Sequence, residues 1–188
     1  MELLVVKDRK IDYDGSAIKS HWAYRNFEVL GNSIVVFRGS CDIKIEEMID
    51  IEDLRQQKEI KSEDMVHYII EIFEVPNVFL ASVLQKLFIA KLCEILGEYG
   101  IKTSRYGDDI YVGDKKLSIS IATVSPVSIK IHIGVNVKAK GVPMGVNAIG
   151  LKELGISDID QFMELSGKLL VEEFLKAKKD SLKVKWAE

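Results

Sequence analysis

Between Asp109 and Val137 the chain alternates apolar and polar residues with a period of two. That period predicts strands, because successive side chains on a strand point to opposite faces. Gly113-Asp114 and Ser125-Pro126-Val127 punctuate the stretch and predict three consecutive antiparallel strands. The first turn sets Tyr111 opposite Lys116 and Asp109 opposite Ser118. Read as a three-residue loop, the second sets Ser120 opposite His132, Ser118 opposite Gly134 and Lys116 opposite Asn136. One face then collects Ile110, Val112, Leu117, Ile119 and Ile121 with Ile129, Ile131, Ile133 and Val135, and is the core side. The other collects Asp109, Tyr111, Lys116, Ser118, Ser120, His132, Gly134 and Asn136. It is polar but short, and space above it would suit a polar ligand.

The flanking pattern supplies the other elements. "ELLVV" reads as a first strand, and "AIKSHWAYRNF" as a short helix with Ser16 near its cap. "FEVLGNSIVVF" reads as two strands joined through Gly31-Asn32. "MIDIEDLRQQKEIKSED" is polar and reads as a helix or an irregular excursion, and "VHYIIEIF" as a buried strand. Asn77 offers an N-cap to the longest apolar helix, which ends at Gly97 or Gly100. Ser157 and Asp160 resemble a capping box for a last helix to about Lys179. Strands, helix, strands, helix is an α+β order: a mostly antiparallel sheet with helices packed on one face.

Composition narrows the classes. A chain of 188 residues with 47% hydrophobic and 29% charged residues reads as one globular domain, 1–188. A net charge of −3 gives no global attraction to nucleic acid or anionic membrane. Charge is local: residues 42–64 hold nine acids against four basic residues. Two cysteines without metal-type spacing fit a reducing compartment, and no apolar run reaches spanning length. The expectation is a cytoplasmic protein with a small-molecule ligand, no membrane or nucleic-acid partner, and a surface compatible with a homodimer.

Candidate chemistry is sparse. Lys116 could act as a fixed cation on a carboxyl or phosphoryl charge, and Arg38, before Gly39, could reach an anion. Asp50, Glu52 and Asp53 could offer oxygens to a divalent cation, although an acidic solvated turn is the commoner outcome. Cys41 is a candidate nucleophile, and Cys93 and Trp22 read as core. His132 faces the small residues, where a hydrogen-bonded structural histidine is the plainer reading. His21, His67 and His132 show no metal spacing, so no metal is expected, and no cofactor is indicated.

The segment "DDIYVGDKKLSISIATVSPVSIKIHIGVNV", with the helix before it, resembles the central part of biotin and lipoate protein ligases. The resemblance implies their class II synthetase-like fold. It puts Asp109 at the motif aspartate, Lys116 at the lysine that meets the activated carboxyl group, and Asn136 at the asparagine of the glycine strand. Tyr106-Gly107-Asp108, Ile119 and His132 depart from the motif, and the Gly-Arg-Gly-Arg nucleotide loop has only "FRGSCD" as an echo. Over its whole length, through "DGSAIKSHWAYRNF", "SIVVFRGSCDI" and "MIDIEDL", the chain also resembles a largely archaeal family, the domain of unknown function 366. The implied function is binding or transfer of a small carboxylate or acyl group at Arg38, Asp109, Tyr111, Lys116, Ser118, His132, Gly134 and Asn136. The alternative is a non-catalytic ligand-binding or assembly protein that lost the nucleotide loop.

Overall fold

The computed structural model describes residues 1–185 and 187. A five-stranded sheet runs in the order β1 (Glu2–Val6), β2 (Ser33–Ile43), β3 (Ile60–Ile72), β8 (Ile129–Asn136), β7 (Ser118–Val124). Only the β1–β2 pair is parallel. A second, three-stranded sheet holds β4 (Ser104–Tyr106), β5 (Asp109–Val112) and β6 (Lys115–Lys116). The helices are α1 (Trp22–Phe27), α2 (Ile51–Arg55), α3 (Val78–Glu98) and α4 (Ile159–Leu182). Among the described residues no helix is long and apolar enough to cross a membrane.

The two long helices cover one face of the sheet. Asn77 caps α3, its side chain accepting from the Leu80 amide. Ala81, Phe88, Leu92, Ile95 and Leu96 recur at helical spacing and pack on Ile70, Ile131 and Ile133. Asp158, rather than Ser157, caps α4 by accepting from the Gln161 amide. Gly167 brings α4 close to β1: a Cβ there would lie 2.8 Å from Leu3 Cδ1.

The opposite face is also buried. The chain between β1 and β2 crosses it, as a parallel connection must, and lays Tyr13, Ala17, Ala23 and Val29 on Val35, Phe37, Met65 and Ile69. Residues 27–30 therefore form no strand, and β2 begins only at Ser33. The expected helix over 17–27 is a 3₁₀ turn at Ser16–Ile18 followed by the six-residue α1, which starts after His21 in the left-handed region.

The register of β7 on β8 differs from the expected one by one residue. Ser118 pairs with Val135, Ser120 with Ile133 and Ile121 with His132, and the loop has four residues, 125–128. Ser125 holds that loop, its hydroxyl accepting from the Ser128 amide at 2.9 Å. Ser118 and Ser120 thus lie on the helix side, while Ile119 and Ile121 share the other side with His132 and Gly134. Keeping polar and apolar faces separate is a sound rule only where one face is wet. Here both are covered, so alternation no longer fixes the register. The Gly113-Asp114 turn is as expected, with Tyr111 opposite Lys116. Asp109 does not pair with Ser118, because the chain leaves the small sheet at Leu117.

Ile131 is fully buried beneath the helices and Ile121 is partly exposed. Ile131→Asp should cost several kcal/mol, roughly 3–5, or prevent folding, through a buried unpaired charge. Ile121→Asp should cost about 1 kcal/mol or less. Chemical denaturation of both variants tests this, and equal losses would contradict the observed register.

Candidate functional site

The start of β7 meets the small sheet at an edge that is not closed, and a cavity of about 440 Å³ lies there. Lys116 stands on its wall. Its backbone is fixed on the returning chain, donating to Asn147 O at 2.8 Å and accepting from the Ile149 amide at 3.0 Å. Its Nζ lies 2.6 Å from Asp109 Oδ2, and the two side chains are 30% and 20% exposed. Burial raises the Asp109 pKa against the pull of Lys116, and the nearby carboxylates of Asp108 and Asp53 push the same way.

Behind this pair, Gln85 of α3 donates to Asp108 and to Ser120, both at 2.7 Å. Ser118 also borders the cavity, its hydroxyl accepting from the Ile110 amide at 2.8 Å. Asn136 closes another side, its Oδ1 accepting from Ser62 at 3.2 Å. The lining also takes in Asp50, Glu52 and Asp53 of the α2 region. Val142, Pro143, Val146 and Ala148 add an apolar side. A smaller cavity of about 60 Å³, lined in part by Tyr13, Ile43, Met48, Ile49 and Ile121, shares Asp50, Asp53, Ile60 and Ser120 with the first.

Nearly the whole chain matches one family model. Residues 1–185 fit "Domain of unknown function (DUF366)". The chain belongs to the DUF366 family. It is 43% identical over 167 residues to "Uncharacterized protein MJ0805" of Methanocaldococcus jannaschii, covering 87% of this chain and 75% of that one. A solved structure, "Protein of Unknown Function from Pyrococcus horikoshi", is 68% identical and superposes with a TM-score of 0.97 over 100% of both chains. The DUF366 fold is also that of the ligases. Biotin protein ligase from Aquifex aeolicus matches with a TM-score of 0.59 at 18% identity, over 95% of this chain and 71% of that one. The putative lipoate protein ligase Ta0514 from T. acidophilum, solved with bound lipoic acid, gives 0.59 at 11% identity, over 93% and 84%.

The DUF366 cavity gathers four of the eight residues singled out in the sequence: Asp109, Lys116, Ser118 and Asn136. The others lie off it. Arg38 is engaged with Asp64 through two hydrogen bonds, 2.7 Å from Nε and 2.5 Å from Nη2. Tyr111 stands opposite Lys116 in the small sheet but does not line the cavity. Gly134 leaves no free space, since a Cβ there would meet Met65 Cε at 2.9 Å and Ile119 Cγ1 at 3.2 Å. His132 is buried, with the Tyr13 ring stacked 3.8 Å away, so the space expected above it is filled by the protein itself. Cys41 is buried as well, and desolvation pushes its thiol up to about 12, which removes it as a nucleophile. Trp22 packs on Phe27 and Phe37 as core.

Asp50, Glu52 and Asp53 do not converge as ligands. Asp50 caps α2, Asp53 pairs with Lys58 at 2.7 Å, and among the described residues no three His, Cys, Asp or Glu side chains are placed to hold a metal ion. Sequence reading passed over Asp108 and Gln85 as site residues. Gln85 carried a usable signal, a polar residue on the helix face that repeats as core.

His132 has its partner beneath Tyr13: its Nε2 lies 3.0 Å from His67 Nδ1. Both rings are buried, and desolvation lowers the pKa of His67 to about 4 and that of His132 well below the usual imidazole value. The sign follows. Above about pH 6.5 both rings are neutral, folded or unfolded, and cost nothing. As pH falls from about 6.5 toward about 4, the unfolded chain binds protons that the folded chain refuses, so stability drops by up to roughly 2.7 kcal/mol per pH unit for two groups. Imidazole proton resonances should stay unshifted down to about pH 5, and urea midpoints should fall over the same window. A midpoint near 6.5 for either ring would contradict this.

Proposed function

We propose that the cavity binds a small carboxylic acid or acyl group, with Lys116 Nζ as the cation that meets the carboxyl. The observation that carries this reading is the Lys116–Asp109 pair on the cavity wall. The ammonium is committed to a carboxylate whose charged form burial disfavours. An incoming carboxylate can take the place of Asp109 on the ammonium. A fixed cation at that point would stabilise a carboxyl that gains negative charge on transfer. The fold supports the reading, being shared with a putative lipoate protein ligase that was solved with bound lipoic acid.

A second reading, in which the acid is held but not activated with nucleotide, is favoured by the strand that echoes the nucleotide loop. In "FRGSCD" the Arg38 guanidinium is occupied by Asp64. The backbone is occupied too: Arg38 O and Ser40 O accept from Ile11 and Tyr13, and the Asp42 amide donates to Tyr13 O. Gly39 is needed for this contact, since a Cβ would lie 1.9 Å from Ile11 O. Such a segment offers a phosphate chain no free arginine, and its Asp42 amide is already taken.

Calorimetry with butyrate, octanoate, biotin and lipoate tests the reading. At least one should bind, and Lys116→Met should weaken it tenfold or more. The same substitution should lower stability by about 1–2 kcal/mol, because it strands the half-buried Asp109. Adding Asp109→Asn should restore the stability but not the binding. Undiminished affinity in Lys116→Met would remove Lys116 from the site. ATP should bind more weakly than about 1 mM, and micromolar ATP affinity would overturn the second reading.

A further inference from the structure

The two cavities adjoin, and a run of contacts leads from one to the other. Lys116 Nζ lies 2.6 Å from Asp109 Oδ2, and Asp109 follows Asp108 in the chain. Asp108 accepts from the Ser120 hydroxyl, at 2.9 Å on its carbonyl and 3.1 Å on Oδ2. Ser120 lines both cavities, and Ile121, next on β7, lines the smaller one only. Ile121 stands opposite His132 in the register of β7 on β8. The Tyr13 ring lies on His132, their centroids 3.8 Å apart, and Tyr13 lines the smaller cavity as well. Lys116 is thus at the start of this wall, and Ile121 with Tyr13 at its end.

The smaller cavity, about 60 Å³, has the chemistry of a tail site. Tyr13, Ile43, Met48, Ile49, Ile60 and Ile121 line it. Its three acids have partners of their own: Glu47 pairs with Lys19 at 2.9 Å, Asp53 with Lys58 at 2.7 Å, and Asp50 accepts from two amides of α2. Among the described residues no lysine or arginine lines it, so a carboxylate would meet no cation there. A hydrocarbon chain needs none. The end of the cavity is firm, because Tyr13 is 3% exposed and its backbone is tied to Ser40 O and to the Asp42 amide, both at 2.9 Å.

We infer that the smaller cavity receives the tail of the acid whose carboxylate meets Lys116, and that Ile121 and Tyr13 are the end wall that limits its length. The ligand is then a slim, unbranched aliphatic acid. This rests on the carboxylate reading above and narrows it by chain length and bulk. Because Tyr13 fills the volume over His132, a ring-bearing tail finds no room beyond Ile121. Each methylene that leaves water on entering should tighten binding about fourfold. Past the wall, a longer tail must displace packed side chains or fold back into solvent, and affinity falls.

The test is a ladder of straight-chain alkanoates from three to twelve carbons, with the alcohols of the same lengths, titrated by calorimetry into the full chain. Affinity for the acids should climb to an optimum length and then drop. Ile121→Ala should move that optimum at least two carbons longer and Ile121→Phe at least two shorter, while propionate, too short to reach the wall, binds all three proteins alike. Ile121 is partly exposed, so both variants should fold, and far-ultraviolet circular dichroism and melting check that they do. Tyr13→Leu provides a second probe of the same wall and should also lengthen the optimum. Affinity that rises with length without an optimum, or an optimum unmoved by both Ile121 substitutions, would overturn this inference and leave the carboxylate reading standing. Alcohols that bind as tightly as the acids and shift in the same way with Ile121 would support the tail site and overturn the carboxylate reading. No binding by any member at millimolar concentration would overturn both.

Discussion

Burying both faces of the five-stranded sheet is the constraint from which the rest of the molecule follows. A polar side chain on such a sheet has no water to turn to and must find its partner within the protein. Three of them do so in different ways. Tyr68 meets Ser166 of α4 at 2.7 Å, His132 meets His67, and Lys130, fully buried, meets Glu71 at 3.0 Å. Glu71 is satisfied further by Ser128 and by the His21 amide. His132 and Gly134, in the middle of β8, belong to this internal packing rather than to an open ligand platform.

The same constraint pushes the cavity to the margin. With helices on one side and the Tyr13 segment on the other, open volume of useful size lies where β7 begins and the small sheet turns away. Lys116 sits at that junction because two segments hold its backbone: β6 carries it, and the returning chain at Asn147–Ile149 braces it. The half-burial of the Lys116–Asp109 pair has one origin with the cavity, an unfinished edge.

Much of the architecture could be read from the chain. Asn77 and the long apolar run after it announced α3, the Gly113-Asp114 turn fixed Tyr111 against Lys116, and the residues around Lys116 pointed to the ligase fold. The faces of β7 could not be read, because the burial of its second side depends on residues about a hundred positions earlier, and local periodicity carries nothing about Tyr13. The site was legible in part for the same reason. Asp109, Lys116, Ser118 and Asn136 are held together by local strands, and Asp50, Glu52 and Asp53 reach the same cavity only through the tertiary placement of α2. Arg38 was misplaced because its partner Asp64 lies across the β2–β3 pair, a contact that no spacing along the chain reveals.

The buried Lys130–Glu71 pair also bears on how the chain finds its fold. The pairing of β3 with β8 joins isoleucine-rich segments in which Ile69, Ile70 and Ile72 face His132, Ile131 and Ile129. Apolar contacts alone would discriminate poorly between this alignment and one slipped by a residue. A slip would turn one of the two strands over and separate lysine from glutamate, leaving two desolvated charges apart inside the protein. The pair adds little to the depth of the native minimum, since its attraction is set against the cost of dehydrating both ions. It raises the energy of the near misses, and so acts as a proofreading contact for an otherwise degenerate ladder.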